Sequence, residues 1–247
     1  MNEMLTITTD AGRAEAYLTR PDAQERPGVL MFMDAIGVRE RTKEMADRIA
    51  SWGYVVLLPN VFYREGTVAE LAPDMDLTDP EQRKEFGEIS GPRVKAYTPD
   101  LSNPDTQAWF DTLGQYASTP YGTVGFCMGA RLAIRAAALH PDDVAAVAGF
   151  HGANLVEDDA EDSPHLLLPR TNADYLFGHA DNDTMNDADA VAELERRLEQ
   201  AGLTYSSAIY PDAPHGFTMA DTSSYQDMGE KRAFAELEPF FARTLQR

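Results

Sequence analysis

The chain has 247 residues, a formal net charge of −20 and a single cysteine. Its 41 acidic residues against 21 basic ones repel phosphate backbones, which argues against a nucleic-acid-binding protein. One cysteine cannot form an intrachain disulfide, so a disulfide-stapled secreted scaffold is excluded and a cytoplasmic location is predicted. No apolar run approaches about 18 residues, so the sequence predicts no membrane-spanning helix and no membrane partner.

The first quarter of the sequence predicts a strand pair followed by a βαβ unit. The predicted strands lie at residues 6–9, 14–19, 29–33 and 54–58, and the predicted helix lies at 40–52. The run at 29–33 is apolar without alternation, which is typical of a strand covered on both faces. Two such strands joined through a helix indicate a parallel sheet.

The segment at 59–103 differs from the rest of the chain. It is polar and rich in proline and glycine, and only residues 81–89 have a weak helical pattern. Long connections of this kind are usually functional or mobile. We therefore expect either a lid or pocket wall, or a poorly ordered surface loop.

Regular alternation of helices and strands resumes after this segment. Helical patterns lie at 106–118, 128–140, 187–201 and 230–245, and strand patterns lie at 122–126, 144–150, 175–178 and 204–210. The pattern predicts one α/β domain over residues 1–247, with a mostly parallel sheet of seven or eight strands and helices on both faces. In such sheets the site lies beyond the carboxyl ends of the strands.

The only cysteine lies in the sequence Gly125-Phe126-Cys127-Met128-Gly129. A strand pattern precedes it and a helix of small residues follows, which is the setting of a G-x-nucleophile-x-G elbow. The glycines are needed because side chains at the flanking positions would clash in so sharp a turn. Cys127 is therefore the candidate nucleophile at a helix N-terminus, and the backbone N–H of Met128 is a candidate oxyanion donor.

A thiol nucleophile needs a base, and the base needs a group that orients it. In the chain order nucleophile, acid, histidine, the best candidate base is His215, which follows the last predicted strand. His151 follows another strand and is a weaker candidate for lining the pocket. The acid is expected in the loop after the strand at 175–178, where both Asp181 and Asp183 are suitable.

These motifs together resemble the dienelactone hydrolase family of the α/β-hydrolase fold. The cysteine elbow is the most specific element, and His215-Gly216-Phe217 resembles the family's base motif. The sequence Ala180-Asp181-Asn182-Asp183 resembles its acid loop and favours Asp183 over Asp181. The segments at 33–38 and 53–60 also resemble family segments, so the similarity extends over nearly the whole chain.

The resemblance implies a hydrolase of small lactones or esters without a cofactor or metal. Cys127 would attack the carbonyl carbon, and His215, oriented by Asp183, would transfer the proton. The backbone N–H groups of Met128 and Ala35 would hold the oxyanion, and water would release the acyl group. The partner implied is a small-molecule ester or lactone, with the chain as a monomer or homodimer.

Two positions depart from the family pattern. The family has a glutamate that contacts the resting thiol where this chain has the shorter Asp34, so direct contact with sulfur is not expected. The family also binds the substrate carboxylate with arginines, and one of those positions is Met219 here. Arg83 could match the other, or could lie on a solvated helix face. With one such arginine or none, the resemblance implies a less charged substrate than dienelactone.

Other functions fit the same residues. A thioesterase or a hydrolase of xenobiotic esters would use the same three side chains. A binding module on a hydrolase scaffold is a different class of protein, and the changes at Asp34 and Met219 are what favour it.

Overall fold

A computed structural model describes residues 1–157 and 160–246 of the chain. Over these residues eight strands form one sheet in the order β1-β2-β4-β3-β5-β6-β7-β8. The strands are β1 (Asn2–Thr9), β2 (Gly12–Thr19), β3 (Pro27–Phe32), β4 (Val55–Pro59), β5 (Ser118–Phe126), β6 (Val144–Phe150), β7 (Asp174–His179) and β8 (Tyr205–Ile209). Strand β2 pairs antiparallel with β1 and β4, and the remaining pairs are parallel. The prediction of a mostly parallel sheet of seven or eight strands is confirmed.

Helices cover both faces of the sheet. They are α1 (Glu40–Ser51), α2 (Val68–Leu71), α3 (Pro80–Ala96), α4 (Pro99–Leu113), α5 (Met128–Leu139), α6 (Pro164–Leu167), α7 (Ala188–Gln200) and α8 (Asp227–Leu245), with a 3₁₀ turn at Leu168–Arg170. Helices α4 and α5 pack together on one face. On the other face α1 meets α8, where the ring of Trp52 packs against Phe234 with centroids 6.1 Å apart. None of the helices in the described part of the chain is long and apolar enough to cross a bilayer.

The central strands are buried on both faces. All five residues of β4 are buried, and so are all of β3 except the partly exposed Pro27. This burial explains why the sequence runs at 29–33 and 54–58 are apolar without alternation. Strand β1 lies at one edge of the sheet and exposes most of its residues. The apolar core therefore sits between the parallel strands and their two helix layers.

The region from 59 to 118 contains more helix than its sequence pattern predicts. Helix α3 runs over Pro80–Ala96 instead of 81–89, and it starts where Asp79 accepts hydrogen bonds from the backbone N–H groups of Glu81 and Gln82. The predicted helix at 106–118 is wrong at both ends, because α4 is Pro99–Leu113 and β5 already begins at Ser118. Only Phe86 and Ser90 of α3 are buried, so the helix has almost no apolar periodicity by which to predict it.

Five neighbouring parallel strands end at the same edge of the sheet. The segment after β3 begins Met33-Asp34, Cys127 follows β5, and His151 follows β6. The loop after β7 carries Asp183, and the loop after β8 carries His215. The sheet order therefore brings residues from distant parts of the chain to one edge, where open α/β sheets bind their ligands.

Candidate active site

Cys127 lies in a strained turn between β5 and α5. Its backbone has φ 54° and ψ −121°, a left-handed conformation that costs a non-glycine residue free energy. A Cβ atom at Gly125 would lie 2.0 Å from the carbonyl oxygen of Gly129, and one at Gly129 would lie 2.5 Å from that of Phe32. Both glycines are therefore required by backbone contacts, as the elbow motif predicts. The turn leaves the thiol partly exposed at the floor of a cavity.

His215 bridges the thiol and one of the two candidate acids. Its Nε2 lies 3.1 Å from Cys127 Sγ, and its Nδ1 donates to Asp183 Oδ2 over 2.6 Å. Asp183 is nearly fully buried and its other oxygen accepts the N–H of Met185. Asp181 points elsewhere and accepts the backbone N–H of Asp212 over 2.9 Å. The structure thus brings Cys127, His215 and Asp183 together and leaves Asp181 apart.

The electrostatics of this group favour a charged imidazole. Burial alone would lower the pKa of His215, but the negative charge of Cys127 and the hydrogen bonds to Asp183 and Cys127 outweigh burial and raise it to about 10. His215 is therefore protonated at neutral pH, and its Nε2 lies beside the sulfur of Cys127. Such a pair can attack a carbonyl carbon and then deliver a proton to the leaving group.

His151 holds the backbone of the turn at Cys127 by a hydrogen bond and is not a second base. Its Nδ1 accepts the backbone N–H of Cys127 over 3.2 Å, so its Nε2 carries the proton and donates to Thr218 Oγ1 over 2.7 Å. Complete burial and the neighbouring charge of His215 hold the pKa of His151 well below its usual value. His151 is therefore a poor base for the thiol, because its pKa is low and its Nδ1 lone pair is occupied by the Cys127 N–H. Its partner Thr218 carries no sequence signal and was not predicted.

Asp34 is fixed by an arginine that sequence reasoning missed. Arg39 donates to both carboxylate oxygens of Asp34, over 2.7 and 3.1 Å, and to both oxygens of Asp221. Its Nη2 also lies 3.4 Å from Met219 Sδ, so a guanidinium does reach Met219, though from a different element. The two carboxylates raise the pKa of Arg39 despite its burial. Arg39 occupies the N-cap of α1, where Ser, Thr, Asp or Asn is usual. This unusual residue at the start of a helix is the sequence feature by which Arg39 could have been found.

The cavity above Cys127 has a volume of about 790 Å³, and α3 forms one of its walls. Arg83 lies on this wall, with its Nη2 3.5 Å from where a Cβ of Gly216 would stand. Asp34 and Met219 also line the cavity. Of the predicted residues Asp34, Arg83 and Met219, Arg83 is therefore the one that places a positive charge close to the loop that carries His215.

Two backbone N–H groups near the thiol are available to a ligand. Among residues 1–157 and 160–246, neither the N–H of Ala35 nor that of Met128 donates a hydrogen bond to an acceptor. Met128 is the first residue of α5, where an N–H has no intrahelical partner. Both residues line the cavity with Cys127.

No group of three or more His, Cys, Asp or Glu side chains within the described residues is arranged to hold a metal ion.

This sheet, with a nucleophile elbow, a histidine after the last strand and an acid after the preceding one, defines an α/β-hydrolase. The model of the dienelactone hydrolase family matches residues 14–245. The chain therefore belongs to the dienelactone hydrolase family. The predicted resemblance is confirmed, as is the predicted class of lactone and ester hydrolase.

Individual relatives agree with this membership. A Salmonella typhi protein assigned as a carboxymethylenebutenolidase is 27% identical over 251 residues, covering 96% of this chain and 86% of its own length. A Bradyrhizobium protein assigned as a 2-oxo-3-(5-oxofuran-2-ylidene)propanoate lactonase is 26% identical and covers 94% of this chain and 90% of its own length. Among solved structures, a Klebsiella pneumoniae protein assigned as a dienelactone hydrolase has a TM-score of 0.78 at 22% identity, covering 98% of both chains. That last similarity concerns the fold.

Proposed function

We propose that the chain hydrolyses small lactones or esters through an acyl-enzyme on Cys127. The observation that carries the proposal is His215, whose two nitrogens lie 3.1 Å from Cys127 Sγ and 2.6 Å from Asp183 Oδ2. The raised pKa of His215 supports a protonated imidazole as the resting state of this side chain. The elbow that holds the sulfur exposed at the cavity floor supports its role as the attacking atom.

The reaction would proceed in two halves. The Cys127 thiolate attacks the carbonyl carbon, and the resulting oxyanion accepts the N–H groups of Ala35 and Met128. Collapse of this intermediate breaks the ester C–O bond, and the leaving alkoxide takes the proton of His215. In the second half His215 takes a proton from water, the hydroxide attacks the thioester, and the thiolate leaves. A lactone yields one hydroxy acid, because its leaving group remains attached.

Of the two positions where the family carries carboxylate-binding arginines, one holds a cation in this chain. Arg83 supplies one cation near the base loop, whereas Met219 supplies none. The guanidinium that reaches Met219 belongs to Arg39 and is already engaged by Asp34 and Asp221. The expected preference for substrates less charged than dienelactone remains a prediction. The same side chains would serve a thioester, which a substrate panel would reveal.

The test compares the wild type with the Cys127→Ala variant. We expect the wild type to release p-nitrophenol from short acyl esters and to open neutral and carboxylated lactones. The variant should lose at least about 10³-fold in kcat/KM, because no other group can form the acyl-enzyme. Mass spectrometry of the wild type during turnover should detect an acyl adduct on Cys127. Equal rates for the two proteins would refute the proposal.

A further inference from the structure

The loop at residues 34–37, which we call the oxyanion loop, has most of its polar groups occupied. The carboxylate of Asp34 accepts the N–H groups of Ile36 and Gly37 over 3.1 and 3.3 Å. Arg39 donates to the carbonyl oxygen of Gly37 over 3.0 Å. Within the described part of the chain, the N–H of Ala35 is left without an acceptor. The loop is thus held from several sides while the N–H of Ala35 stays free for a ligand.

Two further carbonyls of the oxyanion loop are held by Arg93. Its Nη2 donates to the carbonyl oxygens of Ala35 and Ile36 over 3.1 and 3.3 Å. Arg93 lies on α3, the helix that forms a wall of the cavity, and not on the strands that carry the elbow or the base. A side chain from the wall therefore reaches across to the backbone that presents Ala35.

Arg93 occupies an unusual environment for a cation. Its guanidinium lies over the rings of Phe62 and Phe86, 5.1 and 5.5 Å from their centroids. Burial lowers the pKa of Arg93, and its buried Nε has no hydrogen-bond partner among the described residues. Burying a charge without full pairing costs free energy, so such a residue needs a compensating role. Its hydrogen bonds to the oxyanion loop are the role that the structure offers.

We propose that Arg93 is a positioning residue that fixes the orientation of the Ala35 N–H for the oxyanion. The inference rests on the proposed function, in which that N–H stabilises the tetrahedral intermediate. The peptide between Asp34 and Ala35 lies between two anchors, the carboxylate of Asp34 and the carbonyl oxygen of Ala35. With both anchors held, the rotation that would turn the N–H of this peptide away from the cavity is restricted. Without Arg93 only the anchor at Asp34 remains.

This role separates two reactions of the same thiol. Hydrolysis of an ester passes through an oxyanion, so it depends on the Ala35 N–H. Alkylation of Cys127 by iodoacetamide is a displacement at a saturated carbon, in which the thiolate forms a C–S bond, iodide leaves and no oxyanion develops. The hydrogen bonds of Arg93 go to the oxyanion loop and not to Cys127 or His215. Loss of Arg93 should therefore slow hydrolysis and spare alkylation.

The experiment compares the wild type with Arg93→Gln, Arg93→Lys and Arg48→Gln. Arg48 is the matched control, because its guanidinium also lies over an aromatic ring, 4.1 Å from the centroid of Phe234, but outside the lining of the cavity. For p-nitrophenyl acetate we expect Arg93→Gln to lower kcat by about 10- to 100-fold with KM changed by less than about threefold. Its alkylation rate at pH 7 should stay within about twofold of the wild type, and Arg48→Gln should match the wild type in both reactions. Arg93→Lys keeps the charge and one donor, so its kcat should be intermediate.

Three results would overturn the inference. The first is a kcat of Arg93→Gln within about threefold of the wild type. The second is a parallel loss of alkylation and hydrolysis in a variant that melts like the wild type, which would mean that Arg93 serves the whole site. If Arg93→Gln does not fold, Arg93→Lys is measured in its place. The third result is then a kcat of Arg93→Lys equal to that of the wild type. Failure of the proposed function looks different, because Cys127→Ala would then hydrolyse esters as fast as the wild type.

Discussion

Asp183 and Asp181 stand two residues apart in one loop, and their carboxylates have different partners. Asp183 is nearly fully buried and bonded to His215 Nδ1, whereas Asp181 accepts a backbone N–H at the surface. Asn182 between them has φ 53°, and this left-handed residue makes the reversal that separates the two side chains. The sequence alone allowed either aspartate as the acid, because a positive φ at a single residue leaves no periodic pattern.

Exchanging each of these aspartates for asparagine should separate their roles. Asp183→Asn keeps the shape but removes the charge that stabilises imidazolium, so we expect kcat/KM for p-nitrophenyl esters to fall by about 10²- to 10⁴-fold. Asp181→Asn is the matched control, because an amide oxygen can still accept the N–H of Asp212. Its kcat/KM should stay within about twofold of the wild type. A larger loss in Asp181→Asn than in Asp183→Asn would contradict the assignment.

At the scale of the elements, the parallel strands and the elbow were predictable and the extent of helix α3 in the pocket wall was not. Strands β3 and β4 are apolar because both faces are buried, and the elbow at 125–129 is a short pattern with a strict backbone requirement. Helix α3 packs mainly through Phe86 and contains two glycines and Pro92, so it lacks the periodicity that marks most helices. Arg39 and Arg93 were missed for a related reason, since Arg39 pairs with the distant Asp221 and Arg93 donates to carbonyls of the loop at 34–37.

The glycines of the elbow and of the wall should respond oppositely to alanine. Gly129→Ala would press a methyl group against the carbonyl oxygen of Phe32, so we expect the free energy of unfolding to fall by about 3 kcal/mol or more. Gly91→Ala in α3 meets no atom within 4 Å, and alanine favours the helix by about 0.5–1 kcal/mol. Urea unfolding of both variants measures the two effects. A Gly129→Ala variant as stable as the wild type would show that the turn can relax.

For the whole molecule, the order of the strands in the sheet decides which residues meet at the site, more than any single contact does. Elements from opposite ends of the sequence meet through Arg39, whose partners Asp34 and Asp221 flank the site from two loops. Because these residues come from distant parts of the chain, the site persists only while the whole fold is intact. Two of the histidines beside it, His151 and His179, are buried and have lowered pKa values. Both make the stability of the whole protein depend on pH.

The direction of this dependence follows from His179. Burial lowers its pKa from 6.5 to about 4, so between these values the unfolded chain binds a proton that the folded chain does not. The free energy of unfolding should therefore fall as the pH drops from 6.5 to 4, with a contribution from His179 of about 3 kcal/mol. His179→Gln should show a smaller fall, judged against its own stability at pH 8. Equal slopes for the two proteins in urea unfolding would argue against a buried neutral His179.

The order of the site residues along the chain also matters while the protein is being made. Cys127 leaves the ribosome 88 residues before His215, and Asp221 is synthesised 182 residues after Arg39. A growing chain thus carries Cys127 without His215 while the residues between them are being synthesised. The chain order therefore brings the sulfur and His215 together only after β8 and the loop that follows it have been synthesised.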